Sequence, residues 1–390
     1  MNREIGKLNP SYRILLGPGP SNIDPRVLKA MATPLLGFMD PEYLKIMDDC
    51  VEMLRYIMGT QNQVTLPVPG TGTAGMETAL SNLIEPGDKV LVGVGGFFSD
   101  RMCEIVKRND GKLIRLDTEW GKIVNPNDIK AAIKKYSPQI VAIVHAETST
   151  GILQPIDDIG YVVREHNALL VVDAVTSLGG ISVKMDEWMV DVIYSGSQKC
   201  LGCPPGLAPV SFNDRAMDKI RSKNKVSSFY LDINLLYNYW GGDKRIYHHT
   251  GPVSLIYALH EALRMIYEEG LQSRFTRHQN NSDALVAGLR AMGLETFAQE
   301  EHLLPTLNAI KIPEGIDDAK VRKRLINEYN IEIGAGLGKL AGKIWRIGLM
   351  GASSTKNNVI TLLGVLEKIL IDDGYKIPAS GVSEAIKFFK

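Results

Sequence analysis

Residues 192–199 read Val192-Ile193-Tyr194-Ser195-Gly196-Ser197-Gln198-Lys199, an apolar run followed by a polar turn that ends in a lysine. A second apolar run, residues 169–172, is followed directly by Asp173. Short, continuously apolar runs bounded by polar turns are typical of strands buried in a parallel sheet. The sequence therefore places one amine and one carboxylate at the ends of two strands, where the ligand sites of such sheets lie.

The same alternation of strand-like and helix-like segments extends from about residue 64 to residue 212. The strand-like runs are Lys89 to Val94, Lys112 to Asp117, Ile140 to Glu147, Leu169 to Val175, Asp191 to Ser195 and Ala208 to Phe212. The helix-like segments between them are Ser99 to Arg108, Asn127 to Lys135 and Asp157 to Asn167. This order predicts an α/β fold with a mostly parallel sheet that helices cover on both faces.

The rest of the chain predicts a second, smaller domain. Residues 213–250 lack clean periodicity, and a helical pattern then runs from Ser254 to Glu269 and resumes after Gly270. Strands are expected near residues 306–312 and 345–349, with helices between and after them. We therefore divide the chain into an N-terminal arm (1–25), a large domain (26–270) and a small α+β domain (271–390). For residues 380–390 we expect a packed C-terminal helix or a dimer contact.

Composition excludes several classes of protein. Lys+Arg and Asp+Glu are both 44, so no electrostatic footprint for nucleic acid or an acidic membrane is expected. No apolar segment is long enough to span a membrane, and no secretory leader is expected. Four cysteines fit a reducing compartment, and Cys200 and Cys203 have no partners that would complete a metal site. A cytoplasmic protein without a metal is the expectation.

A lysine and a carboxylate at two strand ends suit one cofactor. Pyridoxal phosphate is held by a lysine as a Schiff base, and a carboxylate keeps its pyridine nitrogen protonated so that the ring accepts electrons. On spacing alone, a solvated Lys199 and a turn-capping Asp173 remain the competing interpretations.

A glycine-rich loop supplies the third part of this pattern. Residues 68–75 lead from an apolar run into a helix-like stretch, and include Thr71, Gly72 and Thr73. Glycines let the backbone approach an anion, and free N–H groups at a helix start point toward it. The spacing is neither a Walker loop nor a dinucleotide fingerprint. A phosphate cradle and a plain tight entry to a helix both remain open.

The loop, Asp173 and Lys199 together resemble the class V aminotransferases of pyridoxal phosphate fold type I. The resemblance is closest to alanine–glyoxylate and serine–pyruvate aminotransferases and covers about residues 12–370. It rests on Leu16-Gly17-Pro18-Gly19-Pro20-Ser21, Gly70 to Thr73, His145 to Gly151, Val172 to Val175, Ser195 to Lys199 with Pro204-Pro205-Gly206, Tyr247 to Thr250, and Arg346-Ile347-Gly348. It implies a large domain with a mostly parallel seven-stranded sheet, followed by the small α+β domain.

The resemblance also implies a role for each matching residue. Lys199 would form the Schiff base and then move a proton at the substrate Cα, while Asp173 would pair with the pyridine nitrogen. The other cofactor contacts would be Thr71, Gly72, Thr73 and Gln198 at the phosphate, Thr148 near the ring hydroxyl, and Val175 and Phe98 on the two ring faces. Phe98 stands where related enzymes often have tryptophan.

The substrate and partner assignments follow from the same resemblance. Arg346 would bind the substrate carboxylate as a planar fork, with Thr148 nearby. Gly37 is our own hypothesis for a pocket residue that leaves room for a small oxo acid. Tyr247 and Thr250 would reach the phosphate of the neighbouring subunit, which implies a homodimer with shared active sites. We expect the adjacent imidazoles of His248 and His249 to point apart, so no metal is predicted there.

The expected reaction is ping-pong transamination from alanine or serine to glyoxylate or pyruvate. Three alternatives remain open. The amine could instead be ureidoglycine, 3-hydroxykynurenine or 2-aminoethylphosphonate, because a few side chains decide the matter. A lyase or cysteine desulfurase would need a mobile loop cysteine, whereas Cys200 and Cys203 directly follow Lys199. A non-catalytic protein on the same scaffold is the third alternative.

Overall fold

The computed structural model describes residues 6–223, 225–241 and 244–389. The strands are β1 (Ile14–Leu15), β2 (Val64–Pro69), β3 (Lys89–Val94), β4 (Lys112–Asp117), β5 (Ile140–Val144), β6 (Ala146–Glu147), β7 (Ile152–Leu153), β8 (Leu169–Asp173), β9 (Val192–Tyr194), β10 (Leu207–Phe212), β11 (Leu307–Lys311), β12 (Ile331–Glu332), β13 (Gly334–Ala335) and β14 (Ile344–Gly348). The helices are α1 (Pro25–Met31), α2 (Pro41–Met58), α3 (Gly72–Leu83), α4 (Phe97–Arg108), α5 (Pro126–Tyr136), α6 (Asp157–Glu165), α7 (Asp214–Ser222), α8 (Ile233–Trp240), α9 (Val253–Glu269), α10 (Leu271–Ala291), α11 (Asp318–Tyr329), α12 (Lys356–Asp372) and α13 (Gly381–Ala385). Short 3₁₀ turns lie at Glu300–His302, Gly338–Leu340, Gly351–Ser353 and Ile386–Phe388.

A seven-stranded sheet forms the centre of the molecule, in the order β2-β10-β9-β8-β5-β3-β4. Strands β3, β4, β5, β8 and β9 run parallel to one another, and β10 is antiparallel to both of its neighbours. Every residue of β5, β8 and β9 is buried. Helices cover both faces of these strands, which is why their sequences are apolar throughout. The predicted α/β fold with a mostly parallel sheet is confirmed.

Helix starts follow from local sequence signals. Asp24, Asp40 and Asn125 each accept a hydrogen bond from a backbone N–H of the first turn, and a proline follows each of them. Proline fits the first helical position because the N–H that it lacks would have no partner there. These caps fix the entry into α1, α2 and α5.

Residues 213–250, which lack clean periodicity in the sequence, contain two helices that the sequence pattern did not predict. Helix α7 follows Asn213 and helix α8 follows Asp232, and each of these side chains accepts a hydrogen bond from the helix that it precedes. The helices have 9 and 8 residues, too short for a clear apolar period. Their capping residues were the available signal.

Two hydrophobic clusters account for most of the core. One contains apolar residues from Val27 to Ile266 and surrounds the large sheet. The other contains Leu16 and residues from Ala284 to Ala385, around the antiparallel sheet β11-β14-β13. Their sequence ranges are compatible with the division at about residue 270, which stays a prediction.

Both ends of the described chain are attached to the second cluster. Strand β1 pairs in parallel with β12, with Ile14 opposite Ile331. At the other end, Gly381 and Ala385 of α13 are buried against α10 and α12, so the expected C-terminal helix is present. None of the helices in the described ranges is long and apolar enough to cross a membrane.

Candidate active site

A cavity lies at the carboxyl ends of β8 and β9, beside the start of α3. Its lining is Thr71, Gly72, Thr73, Met76, Phe98, Arg101, Val144, Ala146, Thr148, Asp173, Val175, Gln198 and Lys199. Nine residues that the sequence singled out therefore share one pocket, although they come from five separate segments of the chain. The parallel sheet accounts for this convergence, since it places the loops after neighbouring strands at one edge.

Asp173 ends β8 and is held on both carboxylate oxygens. The N–H of Val175 donates to Oδ1 at 2.8 Å, and the hydroxyl of Tyr194 donates to Oδ2 at 2.8 Å. The side chain is 3% exposed, and this burial raises its pKa to about 7. The site thus keeps a carboxylate that gains stability from a proton or a cation placed beside it.

Lys199 lies in the same cavity with 8% of its surface exposed. Burial, with a smaller contribution from the charge of Arg346, lowers its pKa to about 8. A lysine with that pKa is deprotonated in part at neutral pH, which makes it a nucleophile and a proton carrier.

The N-terminal segment lies directly against this lysine. The Nζ of Lys199 donates to the carbonyl oxygen of Pro18. A Cβ at Gly19 would lie 2.5 Å from that Nζ, and Gly19 has a φ of +104°, so a side chain is excluded there on two grounds. Ser21 donates its N–H to the carbonyl of Gln198 at 3.0 Å and its hydroxyl to that of Lys199 at 3.0 Å.

The end of the cavity at α3 has free donors for an anion. Thr71 caps α3 without using its hydroxyl. The buried Oε1 of Gln198 has no partner among the described residues, and rotation of that amide would direct its NH₂ group to a ligand. A Cβ on Gly72 would lie 3.2 Å from a side-chain carbon of Val175, so the close packing between the start of α3 and Val175 favours glycine at this position. These features suit the phosphate and ring of pyridoxal phosphate.

The buried carboxylate of Glu147 holds the backbone at Phe98. Glu147, 2% exposed, accepts hydrogen bonds from the N–H of Ser99 at 3.1 Å and the hydroxyl of Ser149 at 2.6 Å. Ser99 lies in the first turn of α4, where the helix dipole favours negative charge, and Ser149 lies in the turn after β6. The carboxylate therefore holds the first turn of α4, and with it the backbone of Phe98, against the cavity.

Arg346 lies on β14, where the sequence predicted a strand, and is 5% exposed. Its Nε donates to the carbonyl of Ala335 at 2.7 Å, and its Nη1 is 3.4 Å from the carbonyl of Thr148. Burial lowers its pKa to about 10. These contacts hold the guanidinium next to Thr148. Its Nη2 group has no hydrogen-bond partner among the described residues.

Four of the predicted site residues do not line this cavity. Arg346 lies beside it, next to Thr148, whereas Gly37, Tyr247 and Thr250 lie at the surface. Gly37 and Thr250 line a shallow surface depression instead, together with Phe38. The ring of Tyr247 lies 5.0 Å from that of Phe38, and its hydroxyl is 3.3 Å from that of Thr250. They form a single surface cluster, which we call the Tyr247 cluster (Gly37, Phe38, Tyr247 and Thr250).

The expectation that His248 and His249 point apart was wrong. Their Nδ1 atoms are 2.8 Å apart, so the two rings share a hydrogen bond. Phe229 stacks on His248 and Tyr239 packs edge-on against His249, which turns both rings toward each other. The described residues contain no group of three or more His, Cys, Asp or Glu side chains arranged to hold a metal.

Sequence reasoning missed Tyr194, Arg101 and the contact of Gly19 with Lys199. Tyr194 belongs to a strand that was recognised, but its partner across the sheet was not. Arg101 follows Phe98 by three residues in a predicted helix, so the two share a helix face. That spacing was the available signal for Arg101, whereas the Gly19 contact arises only in the folded chain.

Comparison with known proteins agrees with this geometry. Residues 15–358 match the model of the family described as aminotransferase class-V. The (S)-ureidoglycine–glyoxylate transaminase of Bacillus subtilis is 41% identical over 392 residues, covering 96% of this chain and 94% of the relative. The alanine–glyoxylate aminotransferase of Drosophila melanogaster is 43% identical over 363 residues, covering 92% of each chain. The crystal structure of an alanine–glyoxylate aminotransferase from Nostoc sp. superimposes with a TM-score of 0.93 at 46% identity, covering 94% of this chain and 98% of that one.

The chain belongs to the class V aminotransferase family. It is an aminotransferase whose cofactor is pyridoxal phosphate.

Proposed function

We propose that this aminotransferase moves the amino group of alanine or serine to glyoxylate or pyruvate in a ping-pong reaction. The observation that carries the proposal is the placement of Arg346 beside Thr148 and the Lys199 cavity, as a single anchored fork for one carboxylate. The names of the Bacillus, Drosophila and Nostoc relatives support glyoxylate as the acceptor.

The charges around the cavity favour a substrate with one carboxylate. Arg13 donates to the carbonyl of Ile326 and to the side chain of Asn330. Arg101 contacts Thr73, at the end of the cavity that suits the phosphate. Among the described residues of one chain, neither Arg13 nor Arg101 is placed to receive the second carboxylate of a donor such as glutamate.

The cavity residues have distinct tasks in this reaction. Thr71, Gly72, Thr73 and Gln198 would hold the phosphate, Phe98 and Val175 would pack on the two ring faces, and Thr148 would lie near the ring hydroxyl and the substrate. When bound, pyridoxal phosphate supplies an electron sink for the bond at the substrate Cα. Asp173 would keep the pyridine nitrogen protonated, and Lys199, whose pKa burial lowers to about 8, would carry the proton to and from the substrate Cα.

The Tyr247 cluster supports a homodimer with shared active sites. Tyr247 is 53% exposed and the cluster lies outside the cavity of its own chain. Exposed aromatic and apolar side chains nearby include Phe229, Tyr230 and Ile246. We infer that a second copy covers this surface, so that Tyr247, Thr250 and Gly37 of one subunit complete the cavity of the other.

(S)-Ureidoglycine is the second candidate for the amino donor. A relative of that name is 41% identical over 96% of this chain. Both donors carry one carboxylate, so Arg346 serves either, and the side chains around the substrate amine decide between them.

The four cysteines argue against a desulfurase. All four are buried and free. Burial raises the pKa of Cys103 and Cys200 to about 11 and of Cys203 to about 12, so none of these thiols is a ready nucleophile at neutral pH. Free thiols also fit a reducing compartment, and we propose a cytoplasmic location.

Absorption spectra of the purified holoenzyme test the reaction. The band of the bound cofactor is recorded before and after adding L-alanine, L-serine, L-glutamate or (S)-ureidoglycine, and again after glyoxylate or pyruvate. Loss of the band with alanine or serine and its return with glyoxylate are expected. A band that only glutamate removes would refute the proposal, and one that only ureidoglycine removes would establish the second candidate.

Arg346→Lys tests the carboxylate fork. Lysine keeps the charge but lacks the planar pair of donors, so the KM for the amino donor should rise about tenfold or more. Arg322→Lys is the matched control, because Arg322 forms a similar fork with Asp318 on α11, away from the cavity. An unchanged KM in Arg346→Lys would remove Arg346 from substrate binding.

Mixing two inactive variants tests the shared sites. Lys199→Ala removes the amine of its own cavity, and Tyr247→Ala with Thr250→Ala removes the predicted contribution to the partner's cavity. If the sites are shared, mixed dimers hold one intact site and activity returns on mixing. If activity stays absent although mixed dimers form, each site belongs to one chain.

A further inference from the structure

Arg101 lines the cofactor cavity but has no task in the proposed reaction. It lies on α4, one turn after Phe98, and its side chain is partly buried. Its Nη1 donates to the hydroxyl oxygen of Thr73 at 3.0 Å. Within the described ranges it forms no ion pair, in contrast to Arg108 on the same helix, which pairs with Glu104 at 2.9 Å.

The bond to Thr73 fixes the direction of the threonine proton. A guanidinium only donates hydrogen bonds, so the oxygen of Thr73 must be the acceptor. The hydroxyl proton of Thr73 then points away from Arg101 and remains free to bind an acceptor in the cavity. Thr73 lies in the first turn of α3, where the N–H groups and the helix dipole also favour an anion.

The same guanidinium is held over an aromatic surface. Its Cζ lies 5.1 Å from the ring centre of Phe98 and 5.5 Å from that of Phe97. Such cation–π contacts orient both partners. Arg101 is therefore held between the rings of Phe97 and Phe98 on one side and Thr73, at the start of α3, on the other.

We infer that Arg101 is a positioning residue for the cofactor phosphate. It directs the hydroxyl of Thr73 toward the phosphate and supplies a positive charge that no carboxylate among the described residues neutralises. Arg346 lies next to Thr148 and is assigned to the substrate carboxylate, so the two arginines serve opposite ends of the ligand. The inference rests on the proposed contact of Thr73 with the phosphate.

Comparing two ligands that differ only in the phosphate tests this role. The cofactor is removed from the intact protein, and dissociation constants are measured for pyridoxal 5′-phosphate and for pyridoxal by equilibrium dialysis. In Arg101→Met, pyridoxal 5′-phosphate should bind about tenfold more weakly, equivalent to about 1.4 kcal/mol, while pyridoxal binds as before. Arg101→Lys should recover part of the loss, because it restores the charge without the planar group.

Arg108→Met is the matched control and should leave both constants unchanged. Equal weakening of both ligands by Arg101→Met would overturn the inference, since it would mean that Arg101 serves only the Phe98 ring. Unchanged constants together with altered selectivity between glutamate and alanine would also overturn it, in favour of a second carboxylate site. If the unaltered protein bound neither ligand, the proposed phosphate contacts themselves would fail, and Arg101 with them.

Thermal unfolding of the cofactor-free variants separates binding from folding. Arg101 is only partly buried, so Arg101→Met should unfold within a few degrees of the unaltered protein. A variant that failed to fold would be replaced by Thr73→Val, which removes the hydroxyl that Arg101 directs. Thr73→Val should show the same selective loss of pyridoxal 5′-phosphate, and equal loss of both ligands would overturn the inference.

Discussion

Replacing Asp173 by asparagine should stabilise the protein freed of cofactor while removing its function. Burial raises the pKa of Asp173 to about 7 from its ordinary value of 3.8, a difference of about 3 units. Each unit corresponds to about 1.36 kcal/mol, so the ionised carboxylate costs the folded state about 4 kcal/mol above pH 8. Asparagine has no charge to bury and can still accept from Val175 N–H through its amide oxygen.

The sign of the pH dependence follows from the raised pKa. The folded protein holds the Asp173 proton up to about pH 7, whereas the unfolded chain releases it near pH 4. Below about pH 4 Asp173 therefore does not lower the free energy of unfolding. As the pH rises from about 4 to 7, Asp173 lowers that free energy by an increasing amount. The stability advantage of Asp173→Asn should increase by roughly 2 to 3 kcal/mol between pH 5 and pH 8.

Urea unfolding of the cofactor-free proteins at a series of pH values measures this advantage. Asp191→Asn is the control, because Asp191 is equally buried but pairs with Arg215 at 2.8 Å and should lose stability when neutralised. An advantage of Asp173→Asn that is the same at pH 5 and pH 8 would refute the reasoning. The holoenzyme should show the opposite order if, as proposed, the Asp173 carboxylate pairs with the protonated pyridine nitrogen, because asparagine lacks that charge.

Three further substitutions should act through contacts in the structure. Gly160→Ala would place a Cβ 1.8 Å from the carbonyl oxygen of Trp188, and we expect a loss of about 1 to 3 kcal/mol in urea unfolding. In Lys223→Met, three carbonyl oxygens at the end of α3 would lose the ammonium group that now lies 2.7 to 3.3 Å from them. We expect the free energy of unfolding to fall by about 1 to 2 kcal/mol. Gly19→Ala would crowd the Nζ of Lys199 and force a strained φ, so it should weaken the absorption band of bound cofactor and lower kcat.

Each of these substitutions has a matched control. Gly364→Ala on α12 meets nothing closer than 3.6 Å and should be neutral or slightly stabilising. Lys225→Met alters an exposed side chain, and Gly17→Ala stays in the same motif as Gly19 with its nearest contact at 3.7 Å. If a variant and its control changed stability or cofactor binding equally, the contact named for that variant would not be the cause of its effect.

Local patterns were sufficient to place Lys199 and Asp173 at one edge of the sheet, because Asp173 ends one buried strand and Lys199 lies in the loop after the next. They did not decide between a cofactor site and a solvated lysine with a turn-capping carboxylate. The glycine-rich start of α3 is equally local. For the same reason the predicted bounds of β3 and β4 agree with the structure to the residue.

Contacts between distant segments could not be predicted in this way. The bond from Arg101 to Thr73 joins two helices, and the bond from Tyr194 to Asp173 crosses between neighbouring strands. The shifted pKa values of Asp173 and Lys199 depend on burial that only the completed fold provides. The error over His248 and His249 has the same origin, because rings packed around them set their orientation.

The N-terminal segment imposes an order on the assembly of the site. Its carbonyl at Pro18 reaches Lys199, but the strand that precedes it, β1, is paired with β12 near residue 331. During synthesis, the large sheet, the glycine-rich loop and Lys199 therefore leave the ribosome long before β12, the strand that pairs with β1. In a ribosome-bound chain that stops short of β12, the pairing of β1 is missing and only contacts such as those of Ser21 with Gln198 and Lys199 hold this segment, so the lysine should be less well covered than in the finished enzyme.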